Sequence, residues 1–438
     1  MIIYCTMLNP LAQELNDILR NTTVEALLSD MGIRMYFPKG IIAQSNDAKK
    51  AATTANGTIG MTVIHGTPAI LPSIQKNVPA LKPGELVAYA PTGGIPELRK
   101  AWQDKILEKN PLLKTKKISQ AVVVPGLTAG ISYIADLFLD GTKPLLTSDP
   151  SWDNYALVAE ARRGAEFHQF QMFKDGKFNI SALETAIKDE AKKYGSVRLL
   201  LNFPQNPSGY SPTHEEILEI CRIVKETAET GAKLLVLSDD AYFGLDYEDN
   251  IEKQSLFAYL ADIHENVLAV KADGPTKEDF AWGFRCGFLT FGCRGFTDEQ
   301  YDALLKKLMG VIRSSVSCSS TPSQTLLLHA FNDPAHEEQK AFFRKQLEAR
   351  YLAVRSFTGS HTSSVLEPLP FNSGYFMSFR VSGINAEDLR KKLLSEKGIG
   401  TISIDSRTLR VAFSSIDEDK IESVYSEIYG TAEEMGRA

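Results

Sequence analysis

Residues 266–292, NVLAVKADGPTKEDFAWGFRCGFLTFG, decide the fold of this 438-residue chain. Two short apolar runs, 266–274 and 286–292, bracket a loop, and the stretch carries Lys271, Lys277 and Arg285. Runs this short, bounded by glycine, read as buried strands rather than helices. Similar runs recur upstream at 121–126 (AVVVPG), 144–150 (PLLTSDP), 197–204 (VRLLLNFP) and 233–240 (KLLVLSDD). Helical patterns separate many of them, such as SALETAIKDEAKKYG (181–195) and THEEILEICRIVKETAETG (213–231). Apolar strands alternating with helices predict an α/β fold with a mostly parallel sheet covered on both faces.

Outside this region the pattern changes. Leu8 to Met31 has apolar residues at helical spacing, and 60–72 (GMTVIHGTPAILP) reads as an extended arm broken by Gly66 and Pro68. A helix is expected from Pro96, with proline in its first turn. After about residue 300 long helical patterns follow. Two β-like runs, 374–381 and 408–415, then flank the helical AEDLRKKLLSEKG. The expected layout is a large α/β domain over 81–345. A smaller α+β domain is built from residues 1–80, which include an N-terminal arm, and from 346–438. No repeats or low-complexity tracts interrupt it.

Composition narrows the class. The chain is 43% hydrophobic and 23% charged, as soluble globular proteins are. A net charge of -6 offers no footprint for nucleic acid. The five cysteines (Cys5, Cys221, Cys286, Cys293 and Cys318) are odd in number and include no CxxC pair. That argues against a disulfide framework or a metal site and for a reducing, cytoplasmic setting. The apolar start of the chain lacks the basic flank and length of a secretory leader. No window holds about 20 uninterrupted apolar residues, so no membrane span is expected.

In a parallel α/β sheet, ligands sit beyond the carboxyl ends of the strands. The loop GLTAG can bind phosphate through backbone N–H groups and Thr128, although a plain structural turn is the commoner use of such a string. In SDPSWDNY, Trp152 and Tyr155 are either site or core aromatics. Asn206 lies between Pro204 and Pro207 in a stiff turn that would fix its amide. Asp239 and Asp240 end an apolar strand and are followed by Tyr242; acids there must be capping, paired or functional. A loop lysine such as Lys271 or Lys277 is usually solvated. The five loops together give these residues weight.

Taken in order, the loops resemble the class I/II aminotransferases, the pyridoxal-phosphate-dependent enzymes of the aspartate aminotransferase fold. PSWDNY, NPSGY, DDAYFG and the segment from Lys277 to Arg285 followed by Cys-Gly each resemble a family motif, between about Gly66 and Arg410. The resemblance implies pyridoxal 5′-phosphate as cofactor and Lys277 as the Schiff-base lysine and proton carrier. It implies Asp239 as partner of the pyridine nitrogen, Tyr242 and Asn206 as partners of the ring oxygen, and Trp152 as the stacking ring. Leu127, Thr128, Thr276 and Arg285 would hold the phosphate. Tyr89 would reach the phosphate of a neighbouring subunit, implying a homodimer with shared sites. Gly66 and Arg410, with Asn206, would hold the substrate α-carboxylate. Lys271 and Asp240 fall on unmatched positions.

Three features depart from the family pattern: Gly274 stands where a phosphate-binding serine is common, Leu127 where a smaller residue is, and residues 30–60 carry no motif. The implied reaction is exchange of amine and oxo groups between an amino acid and a 2-oxo acid. A lyase or decarboxylase on the same fold is the alternative. A module that only senses the cofactor would carry a DNA-binding domain, for which residues before Gly66 leave no room. Arg313, near the end of a helical pattern, falls where members acting on dicarboxylates place an arginine from the partner subunit. There it would favour acidic substrates by roughly 2–3 kcal/mol; capping of its own helix is the plainer use.

Overall fold

The computed structural model describes residues 8–20, 28, 30–34, 41–58 and 60–437. Its centre is a seven-stranded sheet: β1 (Val122–Val124), β2 (Leu145–Asp149), β3 (Phe167–Gln171), β4 (Ser196–Asn202), β5 (Lys233–Asp239), β6 (Val267–Asp273) and β7 (Gly287–Gly292). The spatial order is β1-β7-β6-β5-β4-β2-β3. Only β7 runs antiparallel to its neighbours. β1 and β7 are buried along their whole length, as continuous apolar strands covered by helices on both faces must be. The fold is therefore the expected α/β class, with a large mostly parallel sheet.

The local chemistry explains the helices between the strands. α1 (Pro96–Lys109) starts on proline, whose missing N–H would be unpaired there anyway. α2 (Leu127–Phe138) begins directly beyond Gly126, which adopts φ +89°. α3 (Ile180–Tyr194) is capped by Asn179 and stopped by left-handed Gly195. α4 (His214–Glu229) opens on a reciprocal capping box between Thr213 and Glu216. α5 (Asp298–Ser315), α6 (Thr321–Phe331) and α7 (His336–Ser360) supply the long helices expected after residue 300.

A second apolar core, including Tyr351, Phe379, Leu389, Leu409 and Tyr425, is built around a four-stranded antiparallel sheet. Its strands are β8 (Leu366–Pro368), β9 (Met377–Val381), β10 (Ile402–Asp405) and β11 (Thr408–Val411), in the order β8-β9-β11-β10. α8 (Ala386–Lys397) and α9 (Ile421–Arg437) pack on it. Both C-terminal β-like runs are shorter than read from the sequence. Gly374 turns at φ +71° before β9, and Phe413–Ser415 close into a 3₁₀ turn after β11.

Two N-terminal expectations need correction. Leu8 to Met31 is not one helix: Pro10–Leu19 is helical, Arg20 is extended, and among the described residues a further helix spans Asp30–Arg34. Residues 60–72 are not a plain extended arm. Val63–Ile64 pairs back on Thr67–Pro68 through a turn at His65 and Gly66, both at positive φ. No helix among the described residues is long and apolar enough to cross a membrane.

Candidate active site

The carboxyl ends of β1, β2, β4, β5 and β6 open into a cavity of about 510 Å³. Asp239, the last residue of β5, is its fully buried anion. Oδ2 of Asp239 accepts the Tyr155 hydroxyl at 2.5 Å and Oδ1 accepts the Ala241 amide at 3.2 Å. Burial pushes the Asp239 carboxyl up, while the Tyr155 hydrogen bond and the Lys277 charge oppose that rise.

A chain of hydrogen bonds links this end of the large sheet to the small one. The Asn202 amide donates to the Asp239 carbonyl at 2.7 Å and accepts the Asn206 backbone N–H at 2.8 Å. Asn206 Oδ1 in turn accepts from Arg410, on β11, at 2.8 Å. Arg410 also donates to the Thr58 carbonyl at 3.2 Å and lies 4.3 Å above the Phe376 ring. Its Nε has no partner among the described residues, so this buried fork has a donor left for a ligand. Burial lowers its pKa to about 10, which leaves it cationic at neutral pH.

Lys277 follows β6 in the short turn Pro275–Glu278. Its Nζ lies 4.7 Å from the centre of the Tyr242 ring. Burial brings its pKa down to about 8; Arg285 acts in the same sense and Asp239 opposes it. The next two residues are carboxylates, Glu278 partly and Asp279 fully buried. Glu278 pairs with Lys109 and Lys340, and Asp279 with Lys340 at 3.2 Å and His336 at 2.9 Å. The Tyr375 hydroxyl holds the Lys277 carbonyl at 3.0 Å. The lysine thus stands on a pinned loop, and pinned side chains keep reacting atoms in register.

The opposite corner is built for an anion. Arg285, in the left-handed region at φ +50°, lays its guanidinium against Gly126; a Cβ there would come within 2.4 Å of Arg285 Nη2. Leu127 and Thr128 place the first N–H groups of the twelve-residue α2 beside it. The Thr276 hydroxyl is buried here without a partner among the described residues. Gly274 is extended, and a Cβ on it would meet Gly287 Cα at 3.0 Å and the Cys286 carbonyl at 3.1 Å. A serine at that position would be crowded by backbone, so Thr276 is the available hydroxyl. Trp152 completes a wall, edge-on to Tyr155 with ring centres 5.5 Å apart.

A family model for aminotransferase class I and II matches residues 63–428. The chain belongs to that family. It is thereby a transferase of the pyridoxal-phosphate-dependent kind. It is 22% identical over 354 residues to an aspartate aminotransferase from Sulfurisphaera tokodaii, covering 77% of this chain and 80% of that one. An aspartate aminotransferase from Bacillus sp. is 26% identical, over 62% of this chain and 64% of its own length. The crystal structure of an aminotransferase from Anaerococcus prevotii superposes with a TM-score of 0.82 at 24% identity, over 92% of this chain and 99% of that one.

In this aminotransferase, Leu127, Thr128, Trp152, Asn206, Asp239, Tyr242, Thr276, Lys277, Arg285 and Arg410 share one cavity. Gly66 does not: it sits in the exposed hairpin turn, with nothing within 4 Å of a would-be Cβ. The glycine facing the cavity is Gly60, where a Cβ would press to 3.0 Å on Phe376 and 3.7 Å from the Tyr242 hydroxyl. The hairpin Val63–Pro68 carries Gly66 away from the cavity, which sequence spacing does not reveal. Tyr89 is 93% exposed and Arg313 is exposed on the last turn of α5; neither lines the cavity of its own chain.

Lys271 and Asp240, unmatched in the sequence, pair with each other beneath the site. Lys271 is fully buried, ion-paired to Asp240 and 3.5 Å from Asp273. Asp240 also accepts the Ser255 hydroxyl at 2.6 Å. Sequence reasoning left Tyr155 undecided between core and site, and it passed over Asn202, Phe376 and the polar residues of helix Ile41–Ala51. Only Tyr155 had a signal in the sequence, its place three residues after Trp152 in the same loop.

Proposed function

We propose that this aminotransferase binds pyridoxal 5′-phosphate in the 510 Å³ cavity and exchanges amine and oxo groups between an amino acid and a 2-oxo acid. The observation that carries the reading is a half-buried lysine of lowered pKa between a buried carboxylate and an anion-ready arginine corner. The residues fit the cofactor: the partnerless Thr276 hydroxyl, the Arg285–Gly126 cradle and the α2 N-terminus suit a phosphate. Asp239 would hold the ring nitrogen, Tyr242 and Asn206 the ring oxygen, Trp152 the ring face, and Lys277 the reactive carbon. When bound, the cofactor supplies an electron-withdrawing ring that stabilises a carbanion at the substrate Cα.

The protein's own part is positioning and proton transfer. Asp239, kept oriented by Tyr155 and Ala241, would hold a proton on its partner nitrogen. Arg410 would grip the substrate α-carboxylate with the donor it has to spare. Lys277, whose amine is more readily neutral than an ordinary lysine's, would take the Cα proton at Nζ and pass it to the cofactor's reactive carbon. Acidic amino acids are the proposed donors, and cytoplasmic homodimers with shared sites the proposed form. Borohydride reduction followed by peptide mapping tests the core of the proposal. Label on Lys277 and bleaching of the visible band by an amino acid alone are expected. Label on Lys271, or no bleaching with any amino acid, would overturn it.

A further inference from the structure

We infer that Lys49, presented on the N-terminal helix Ile41–Ala51 with Ser45 and Asn46, reads a negatively charged group at the far end of the amino-acid substrate. The inference rests on the aminotransferase reading above and deepens it by naming the residue that selects the substrate class.

The helix lies in the segment that carries no family motif, yet it forms part of the cavity wall. Residues 45, 46 and 49 fall on one helical face, being one, three and four positions apart. All three line the cavity. The adjacent stripe is docked on the small sheet. Gln44 exchanges two hydrogen bonds with the Ser403 backbone, at 2.9 and 2.7 Å, and Ala48 is buried against Gly400. That docking fixes the roll of the helix, so the polar face is held toward the cavity rather than free to turn away.

Charge completes the argument. The ions lining the cavity are Asp239 against Lys49, Lys277, Arg285 and Arg410. Asp239, Lys277 and Arg285 are taken by the cofactor, and Arg410 by the substrate α-carboxylate. Lys49 is the cation left over among the described lining residues. No acid of its own helix answers it: Asp47 turns to Arg390, 4.0 Å away. Asp153, near the cavity, acts electrostatically on Arg410. A flexible ammonium at the open side of the cavity can meet a distal carboxylate over a range of chain lengths. Arg313, expected from the partner subunit, lies outside the cavity of its own chain, so Lys49 is the spare cation that a chain contributes to its own cavity.

The test compares kcat/KM for glutamate, aspartate and alanine in the holoenzyme, with Lys49→Ala, Lys49→Arg and, as a control off the cavity, Lys50→Ala. Glutarate binding to the same variants is followed by calorimetry, which needs no turnover. The wild type should prefer an acidic substrate. Lys49→Ala should lower the acidic-to-neutral ratio about tenfold or more and weaken glutarate binding in parallel. Lys49→Arg should keep most of both, and Lys50→Ala all of both. A wild type that prefers alanine overturns the inference, as does a ratio in Lys49→Ala within about twofold of wild type; in either case bleaching by amino acids leaves the aminotransferase reading standing. If no amino acid is processed at all, that reading falls and takes this inference with it.

Discussion

The Tyr155 hydroxyl donates to Asp239 at 2.5 Å, with both side chains fully buried at the end of the central sheet. This bond holds the Asp239 carboxyl below the value that burial alone would impose. In Tyr155→Phe the carboxyl should therefore protonate at higher pH. We expect kcat to fall about tenfold, the worth of one hydrogen bond to a charged group, and the acidic limb of the pH–rate profile to move upward. An unmoved acidic limb would show that Tyr155 only fills space.

Lys277 should act as a nucleophile at unusually low pH. Its folded pKa of about 8 lies below the ordinary lysine value. Reaction of the cofactor-free protein with pyridoxal phosphate, followed by absorbance, should accelerate as pH rises and level off above about 8. The linked stability has the same sign. Between that pH and the ordinary lysine value the unfolded chain binds a proton that the folded chain does not, so stability attributable to this group rises with pH.

Gly126→Ala tests the anion corner. The added methyl would collide with the Arg285 guanidinium, and alanine is strained at φ +89°. We expect a loss of about 1 kcal/mol or more in urea unfolding. Cofactor affinity, titrated by absorbance, should fall about tenfold with the loss of a charge-assisted contact. Unchanged affinity would place the phosphate elsewhere.

Lys271→Met tests the buried pair beneath the site. It strands the Asp240 carboxylate, at a cost of about 3–5 kcal/mol. The double variant Lys271→Met with Asp240→Asn should recover much of that loss. Borohydride labelling of Lys277 should survive in both. A single variant as stable as wild type would mean that the pair contributes nothing.

Tyr89 is 93% exposed in its own chain, an unusual fate for a tyrosine unless something covers it. If it reaches a neighbouring subunit, Tyr89→Ala and Lys277→Ala protomers mixed together should regain part of the activity that each lacks. A sedimenting monomer with full activity at nanomolar concentration would contradict shared sites.

The class of fold and most of the cavity floor were legible in the sequence. Strand-like apolar runs alternate with helices, and a parallel sheet puts the loops after its strands on one edge. Asp239, Lys277 and Arg285 could therefore be placed together from their positions after β5 and β6 alone. Choosing Lys277 over Lys271 needed the family pattern in the sequence. In the structure the choice is physical, because Lys271 is spent on Asp240 and Asp273.

What only the tertiary structure decided are relations between segments far apart in sequence. Gly60 rather than Gly66 faces the cavity, because the hairpin carries Gly66 away and only chain geometry shows which glycine approaches Phe376. Arg410 meets Asn206 across 204 positions, and helix Ile41–Ala51 is rolled into place by Gln44 on Ser403, 359 positions away. Sequence by itself determined the local periods, the caps and the order of the loops, which are set by neighbours a few residues apart. The side chains that finish the site come from the small-domain sheet and the N-terminal helix, and packing, which has no sequence period, brings them there.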